Sequence, residues 1–209
     1  MKTMAKLYVC NSLLDDNLKI VIQKLFFQPI DEIYVLPTHL KRIKNLLTGL
    51  TTTVGSFVDY PLFSGTIAKI AYEAFDLFKC GADKLLIGFL PTKLKAKNWR
   101  RLKELCNTLQ PLCFGNKKLI YFINTQRIKE IEFIETIKRM QELHIKQIAL
   151  AANNMQKSVY YTGIFRQEFG QELNLSVYVK NSEFIDFQAL FKKGVDHVGQ
   201  IYNLTANNF

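Results

Sequence analysis

The chain has 209 residues, 48% of them hydrophobic, enough to bury the core of one domain, so a single domain over 1–209 is expected. A formal net charge of +10 and a pI near 9.4 favour anionic partners, either phosphorylated metabolites or nucleic acid, without choosing between them. With no uninterrupted apolar run of about 18 residues and no signal-peptide-like start, the expected protein is cytoplasmic and has no membrane partner.

Short β-rich apolar runs alternate with stretches of helical period. A first strand is expected over Lys6 to Cys10 and a helix over Asn17 to Phe27. A strand at Glu32 to Leu36 precedes a helix at Leu40 to Leu50, and a strand at Thr53 to Val58 precedes a helix at Gly65 to Lys79. Lys84 to Phe89 then leads to a helix at Asn98 to Leu109, and Lys118 to Ile123 to a helix at Ile128 to Leu143. The remaining strands are Gln147 to Ala152, Leu175 to Lys180 and His197 to Tyr202, with helices at Asn154 to Leu173 and Glu183 to Lys193 between them. Within Ile128 to Leu143, Ile131, Ile134, Ile137 and Met140 recur every three residues and are expected to form the buried face. Gly81 and Gly194, each following a lysine-bearing last turn, predict left-handed helix ends.

Strands separated by helices must pair in parallel, because a parallel connection needs a crossover of about a dozen residues. Continuous apolar runs such as "KLLIGFL" and "KLIYFIN" fit a sheet covered on both faces. The expected fold is therefore α/β, a (β/α)8 TIM barrel with a short or missing last helix, and the alternative is an open doubly wound sheet.

Cys10, Cys80, Cys106 and Cys113 show no C-x-x-C spacing, and His39, His144 and His197 are dispersed. Neither a metal site, nor a disulfide framework, nor a cofactor is expected from them.

The segment from Phe57 to Phe89 resembles deoxyribose-phosphate aldolase, a class I aldolase on a (β/α)8 barrel. In that family strand three runs into a Gly-Phe-Pro-Leu-Gly turn, the next helix carries Glu-Ala, and Gly-Ala-Asp precedes strand four. Here the counterparts are Asp59, Tyr60, Pro61, Leu62 and Phe63, then Glu73 and Ala74, then Gly81, Ala82 and Asp83. Elsewhere "YVCNSLL", "IYVLPTHLKRIKNLL" and "FKKGVDHVGQIYN" resemble the family's first strand, second strand and helix, and last helix and strand.

The resemblance implies a Schiff-base lysine at the end of strand six, a proton-relaying carboxylate in strand four, and a second lysine on strand seven that lowers the first one's pKa. At these positions the chain carries Ala149, or its near neighbours Gln147 and Asn153, then Leu86, then Lys180. The asparagine four residues beyond the relay carboxylate becomes Leu90, and the aspartate of the first strand becomes Cys10. Gly199 matches the glycine of the last strand, but Ile201 and Tyr202 replace the serines after it.

A barrel's active site lies at the C-terminal ends of its strands. There Lys180 and Asp59 are the candidate catalytic pair, amine and base, and Asn11, Tyr60, Asn153, Asn181 and Gly199 the candidate ligand-binding residues. Asn124 and Asn203 also stand at strand ends, where asparagine serves turns as readily as ligands.

The sequence thus reads as an aldolase-like, catalytically degenerate barrel that binds a phosphorylated sugar or nucleoside-like ligand. One alternative is an active lyase forming a Schiff base through Lys180. A second is a basic nucleic-acid or protein-binding module using "TKLKAKNWRR", where Trp99 stands among lysines and arginines, although no recognised nucleic-acid motif accompanies it. A homodimer is expected by resemblance alone.

Overall fold

The computed structural model describes residues 3–9, 31–60, 63–89, 99–152, 154–180 and 186–203. Strand β1 (Thr3–Val9) is followed by β2 (Glu32–Val35), α1 (Pro37–Leu46), β3 (Thr53–Val58), α2 (Ile67–Lys79), β4 (Lys84–Phe89) and α3 (Trp99–Leu109). Next come β5 (Lys118–Asn124), α4 (Glu130–Glu142), β6 (Gln147–Ala152), α5 (Met155–Phe169), β7 (Asn174–Lys180), α6 (Phe187–Lys192) and β8 (His197–Asn203). The helix expected over 17–27 lies outside the described residues.

Each strand pairs in parallel with the next, and β8 pairs back onto β1 with Ala5 opposite Gly199, closing the barrel. Closure overturns the open-sheet alternative. Alternation along each strand sorts the side chains into two apolar layers. Ile33, Val35, Leu85, Ile87, Tyr121, Ile123, Ile148 and Leu150 face the helices, while Tyr34, Phe57, Leu86, Ile120, Phe122, Ala149, Ala151 and Tyr178 fill the interior. With both faces covered, the strands read as unbroken apolar runs.

Helix boundaries follow local chemistry. Pro37 opens α1 three residues ahead of the expected start, where its missing N–H costs nothing. Asn154 caps α5 by accepting from the Lys157 N–H at 2.9 Å, and Gly170 at φ 57° ends that helix before the expected Leu173. The expected left-handed residues Gly81 and Gly194 have φ values of 99° and 94°.

The face expected for α4 needs correction. Ile131 is 80% exposed, and the buried residues are Phe133, Thr136, Ile137 and Met140. A repeat of three advances about 300° per step, so Ile131 rotates away from the Ile137 and Met140 face, whereas Phe133, four residues before Ile137, stays on it.

Two similar clamps tie helices to the barrel where strands begin. The Asp83 N–H donates to the Val54 carbonyl at 2.8 Å, and its carboxylate accepts from the Val54 N–H at 2.9 Å and the Lys44 ammonium at 2.7 Å. Asp196 repeats the pattern. It donates to the Leu175 carbonyl at 3.0 Å and accepts from the Leu175 N–H at 2.7 Å and the Arg166 guanidinium at 2.8 Å. "GAD" and "GVD" thus do the same work at β4 and β8.

Candidate active site

The residues on either side of the turn after β3, Asp59 and Phe63, are held by several hydrogen bonds. Asp59 and Phe63 adopt left-handed φ values of 56° and 48°. These are the positions matched to the two glycines of the family turn, and both take a left-handed φ although neither is glycine. The Asp59 carbonyl accepts from the Phe63 N–H at 2.7 Å, and the Asp59 N–H donates to Glu73 Oε2 at 3.1 Å. Burial pushes the Glu73 carboxyl above its ordinary pKa, partly offset by that hydrogen bond and by Lys69.

The Asp59 carboxylate is turned toward α2. It accepts from the Gly65 N–H at 2.6 Å and from the Lys69 ammonium at 2.7 Å, and a Cβ on Gly65 would meet Asp59 Oδ1 at 2.7 Å. The Arg101 guanidinium donates to the Gly65 carbonyl from α3. The candidate base is therefore engaged in holding the turn, and its cation is Lys69, not Lys180.

Inside the mouth, Leu86 and Ala149, the positions that the sequence resemblance matches to the relay carboxylate and the Schiff-base lysine, are fully buried in the interior layer. A chain of rings spans the space between them. Centroid separations are 5.1 Å for Phe57 and Tyr60, 5.7 Å for Tyr60 and Phe63, 6.4 Å for Phe63 and Phe122, 6.3 Å for Phe122 and Tyr178, and 6.0 Å for Tyr178 and Tyr34. Burial raises the pKa of the Tyr60 and Tyr178 phenols, so both stay neutral.

The described interior does hold a lysine beside an acid, but at the opposite end of the barrel. Lys84, which opens β4, pairs with Glu32, which opens β2, and Glu32 Oε2 accepts from the Tyr34 hydroxyl at 2.8 Å. This places Lys84 at the N-terminal end of the barrel, the stability face of such folds.

Lys180 ends β7 with its side chain exposed, Tyr60 is half-buried in the ring chain, and Gly199 is buried between Ala5 of β1 and Tyr178 of β7. Asn11, Asn153 and Asn181 lie outside the described residues, as do Cys10, Leu90 and most of the basic run before Trp99. Asn124 accepts from the Gln126 N–H at 2.9 Å, the turn use of asparagine. Of the tyrosine pair in α5, Tyr161 is buried and donates to the Ile128 carbonyl at 2.6 Å, while Tyr160 donates to Glu130 at the surface.

The ring chain was not anticipated as a unit, although period-two alternation in "KLIYFIN" and "LSVYVK" points Phe122 and Tyr178 inward. Phe63 had no such signal, because its place depends on a left-handed turn.

No protein-family model matches the chain, and no curated protein matches it by sequence. Solved structures do match its fold. A protein described as "QR15, an Aldolase" superposes with a TM-score of 0.78 at 13% identity, covering 93% of this chain and 88% of that one. A Coccidioides immitis protein provisionally described as a deoxyribose-phosphate aldolase gives 0.76 at 12% identity, covering 95% and 79%. The tetrameric deoxyribose phosphate aldolase of Aeropyrum pernix gives 0.70 at 9% identity, covering 93% and 84%. No helix among the described residues is long and apolar enough to cross a membrane. The chain has the fold of the deoxyribose-phosphate aldolases, a closed (β/α)8 barrel whose interior layer includes Leu86 and Ala149.

Proposed function

We propose that the protein is a catalytically degenerate member of this fold group, retaining the barrel and a ligand site at the strand C-terminal ends without the Schiff-base chemistry. One observation carries the reading: Leu86 and Ala149 lie in the same buried apolar layer, with Phe122 and Tyr178 beside them. An imine-forming amine needs a lysine held neutral by burial or a neighbouring cation, and neither residue can supply or relay a proton.

The ligand in this reading is a phosphorylated sugar or nucleoside-like molecule, held by Lys180, Tyr60 and Gly199 with Asn11, Asn153 and Asn181 from the surrounding strand ends. Lys180 acts there as an anion ligand, its side chain exposed at the end of β7. A homo-oligomer and a cytoplasmic setting are part of the same proposal.

The test is to incubate the protein with 2-deoxyribose 5-phosphate or acetaldehyde, add borohydride, and map adducts by peptide mass. The expected result is saturable binding of the sugar phosphate, weakened by Lys180→Gln, with no reduced imine on any lysine. An adduct at Lys180 together with retro-aldol turnover would establish the active-lyase alternative instead. Salt-sensitive binding of single-stranded RNA with no sugar-phosphate binding would favour the nucleic-acid alternative.

A further inference from the structure

On the opposite face, where β5 and β6 begin, a cleft of about 370 Å³ opens outside the barrel wall. Its sides are Cys106 of α3, Gln110 just after it, the Cys113 to Lys117 loop, and the turn from Leu143 to Gln147. Lys118, Leu119 and Tyr121 of β5 line it as well. The size falls at the small end of the roughly 300–1,000 Å³ typical of small-molecule sites.

The charge of this cleft is one-sided. Lys117, Lys118 and Lys146 line it with His144, and no lining residue is a carboxylate. Lys117 is fixed in place: its ammonium donates to the Phe78 carbonyl at 3.0 Å and lies 5.0 Å and 4.3 Å from the ring centroids of Phe78 and Phe114. Lys118 and Lys146 are exposed, and neither forms an ion pair among the described residues. A concave surface lined by one sign of charge over low-dielectric walls concentrates the opposite ion.

Beneath the ammonium groups the cleft is apolar. Leu119 and Leu143 are half-buried, Ile145 and Tyr121 are buried, and the Cys106 thiol lies against the Tyr121 hydroxyl. Gln110 and Gln147 add side-chain amides, which donate and accept. His144 reaches the cleft from a left-handed φ of 58°, closing the turn in which the Ile145 N–H donates to the Met140 carbonyl at 3.0 Å.

We infer that this cleft binds an organic phosphomonoester with a compact apolar body, its dianion among Lys117, Lys118 and Lys146 and its body against Leu119, Leu143 and Ile145. Positive charge and apolar wall together select this class, since an inorganic ion leaves the wall uncovered and a neutral ring leaves the ammonium groups unmatched. The site lies on the opposite face from the strand-end site and does not depend on the function proposed for it.

Isothermal titration calorimetry with phenyl phosphate, inorganic phosphate and phenol tests the inference, alongside peptide mapping of thiol alkylation. Phenyl phosphate is expected to bind saturably and more tightly than inorganic phosphate, with phenol silent. Lys118→Gln/Lys146→Gln should weaken it by about tenfold or more, while Lys180→Gln leaves it unchanged. Phenyl phosphate should also slow alkylation of the exposed Cys113 but not of Cys80.

Absence of saturable binding would overturn the inference, as would binding that survives the double substitution or is lost on Lys180→Gln. Equal affinity for phenyl and inorganic phosphate would show that the apolar wall takes no part and would overturn the assigned ligand class.

Discussion

The ring of Phe63 lies against the backbone of Gly88: a Cβ built on Gly88 would stand 2.1 Å from Phe63 Cδ1. The residue that turns left-handed after β3 is thus seated on β4 by a glycine two positions beyond Leu86, and the aromatic filling of the mouth depends on that contact. Gly88→Ala must expel the ring or push the strand, at a cost of about 1–3 kcal/mol typical of overpacking. The two sites are coupled. In a Phe63→Ala background the same glycine substitution should cost much less, and a double-mutant cycle in urea reads the difference. Additive costs would mean that the ring does not occupy the mouth in solution.

Asp59 is expected to matter for folding more than for chemistry. Asp59→Ala removes the acceptor of the Gly65 N–H and the Lys69 ammonium together, and leaves alanine at a φ of 56°. We expect a loss of about 1–3 kcal/mol, from the unsatisfied N–H and the left-handed strain. Asp59→Asn keeps one acceptor and tolerates that backbone, so it should recover much of the loss. Ligand binding that collapses in the Asn variant while stability is kept would return Asp59 to a direct role.

These two cases show what the residues disclosed and what they withheld. The strands were legible because burial on both faces leaves long apolar runs, and the scaffold half of the family pattern was legible because each member has a local job. Gly81 takes a positive φ, Ala74 and Ala82 are buried, and Asp83 clamps β3. Leu86 and Ala149 could be placed in the same way, as inward-facing positions of β4 and β6. Closure followed from the count of eight strands, but its register, Ala5 opposite Gly199, could not be read. Nor could the partner of Asp59, because Lys180 and Lys69 differ as candidates only once the turn's dihedrals are known. The Glu32 and Lys84 pair spans 52 positions and exists only by strand register.

The matching clamps at Asp83 and Asp196 predict matching losses. Each carboxylate satisfies a backbone N–H of the preceding strand and a cation from a helix, so Asp83→Ala and Asp196→Ala should each cost about 1–3 kcal/mol. Removing only the cation, by Lys44→Met, should cost less, since a half-exposed pair contributes about 0–1 kcal/mol. A Lys44→Met loss equal to that of Asp83→Ala would assign the clamp to the ion pair and not to the strand contact.

Acid should weaken the fold before most carboxylates titrate. Burial lowers the pKa of His197 below its ordinary 6.5, against the opposing pull of Glu32 and Asp196 and with the help of Lys84, while Asn174 Nδ2 stands 3.1 Å from Nε2. Burial and Arg42 lower His39 as well, and its Nε2 is buried without a partner among the described residues. A base whose folded pKa lies below its unfolded one favours the fold while neutral. That stability is present above about 6.5 and is lost as pH falls from there toward the folded value. Urea midpoints should therefore drop between pH 7.5 and 5.5 (roughly the histidine range), and His197→Gln with His39→Gln should flatten the slope. A flat wild-type profile would contradict the partial burial of both rings.

Placing a lysine at position 149 gives the sharpest test of the apolar mouth. Ala149→Lys places an ammonium in the interior layer with Phe122, Tyr178 and Leu86, and Glu32, the carboxylate whose charge reaches Tyr178, is already paired with Lys84. An uncompensated buried charge costs about 3–5 kcal/mol, part of which the lysine can avoid by shedding its proton or bending toward the strand ends. Adding Leu86→Asp supplies a counter-ion on β4, one strand beyond β5, and should recover part of the loss, which a double-mutant cycle would report as favourable coupling. Neither variant should accumulate a borohydride-trapped imine with acetaldehyde, because position 149 lies in a buried layer packed with the rings of Phe122 and Tyr178. If Ala149→Lys folds with wild-type stability and traps the imine, the interior is open and hydrated, and the loss of chemistry comes down to a single replaced side chain.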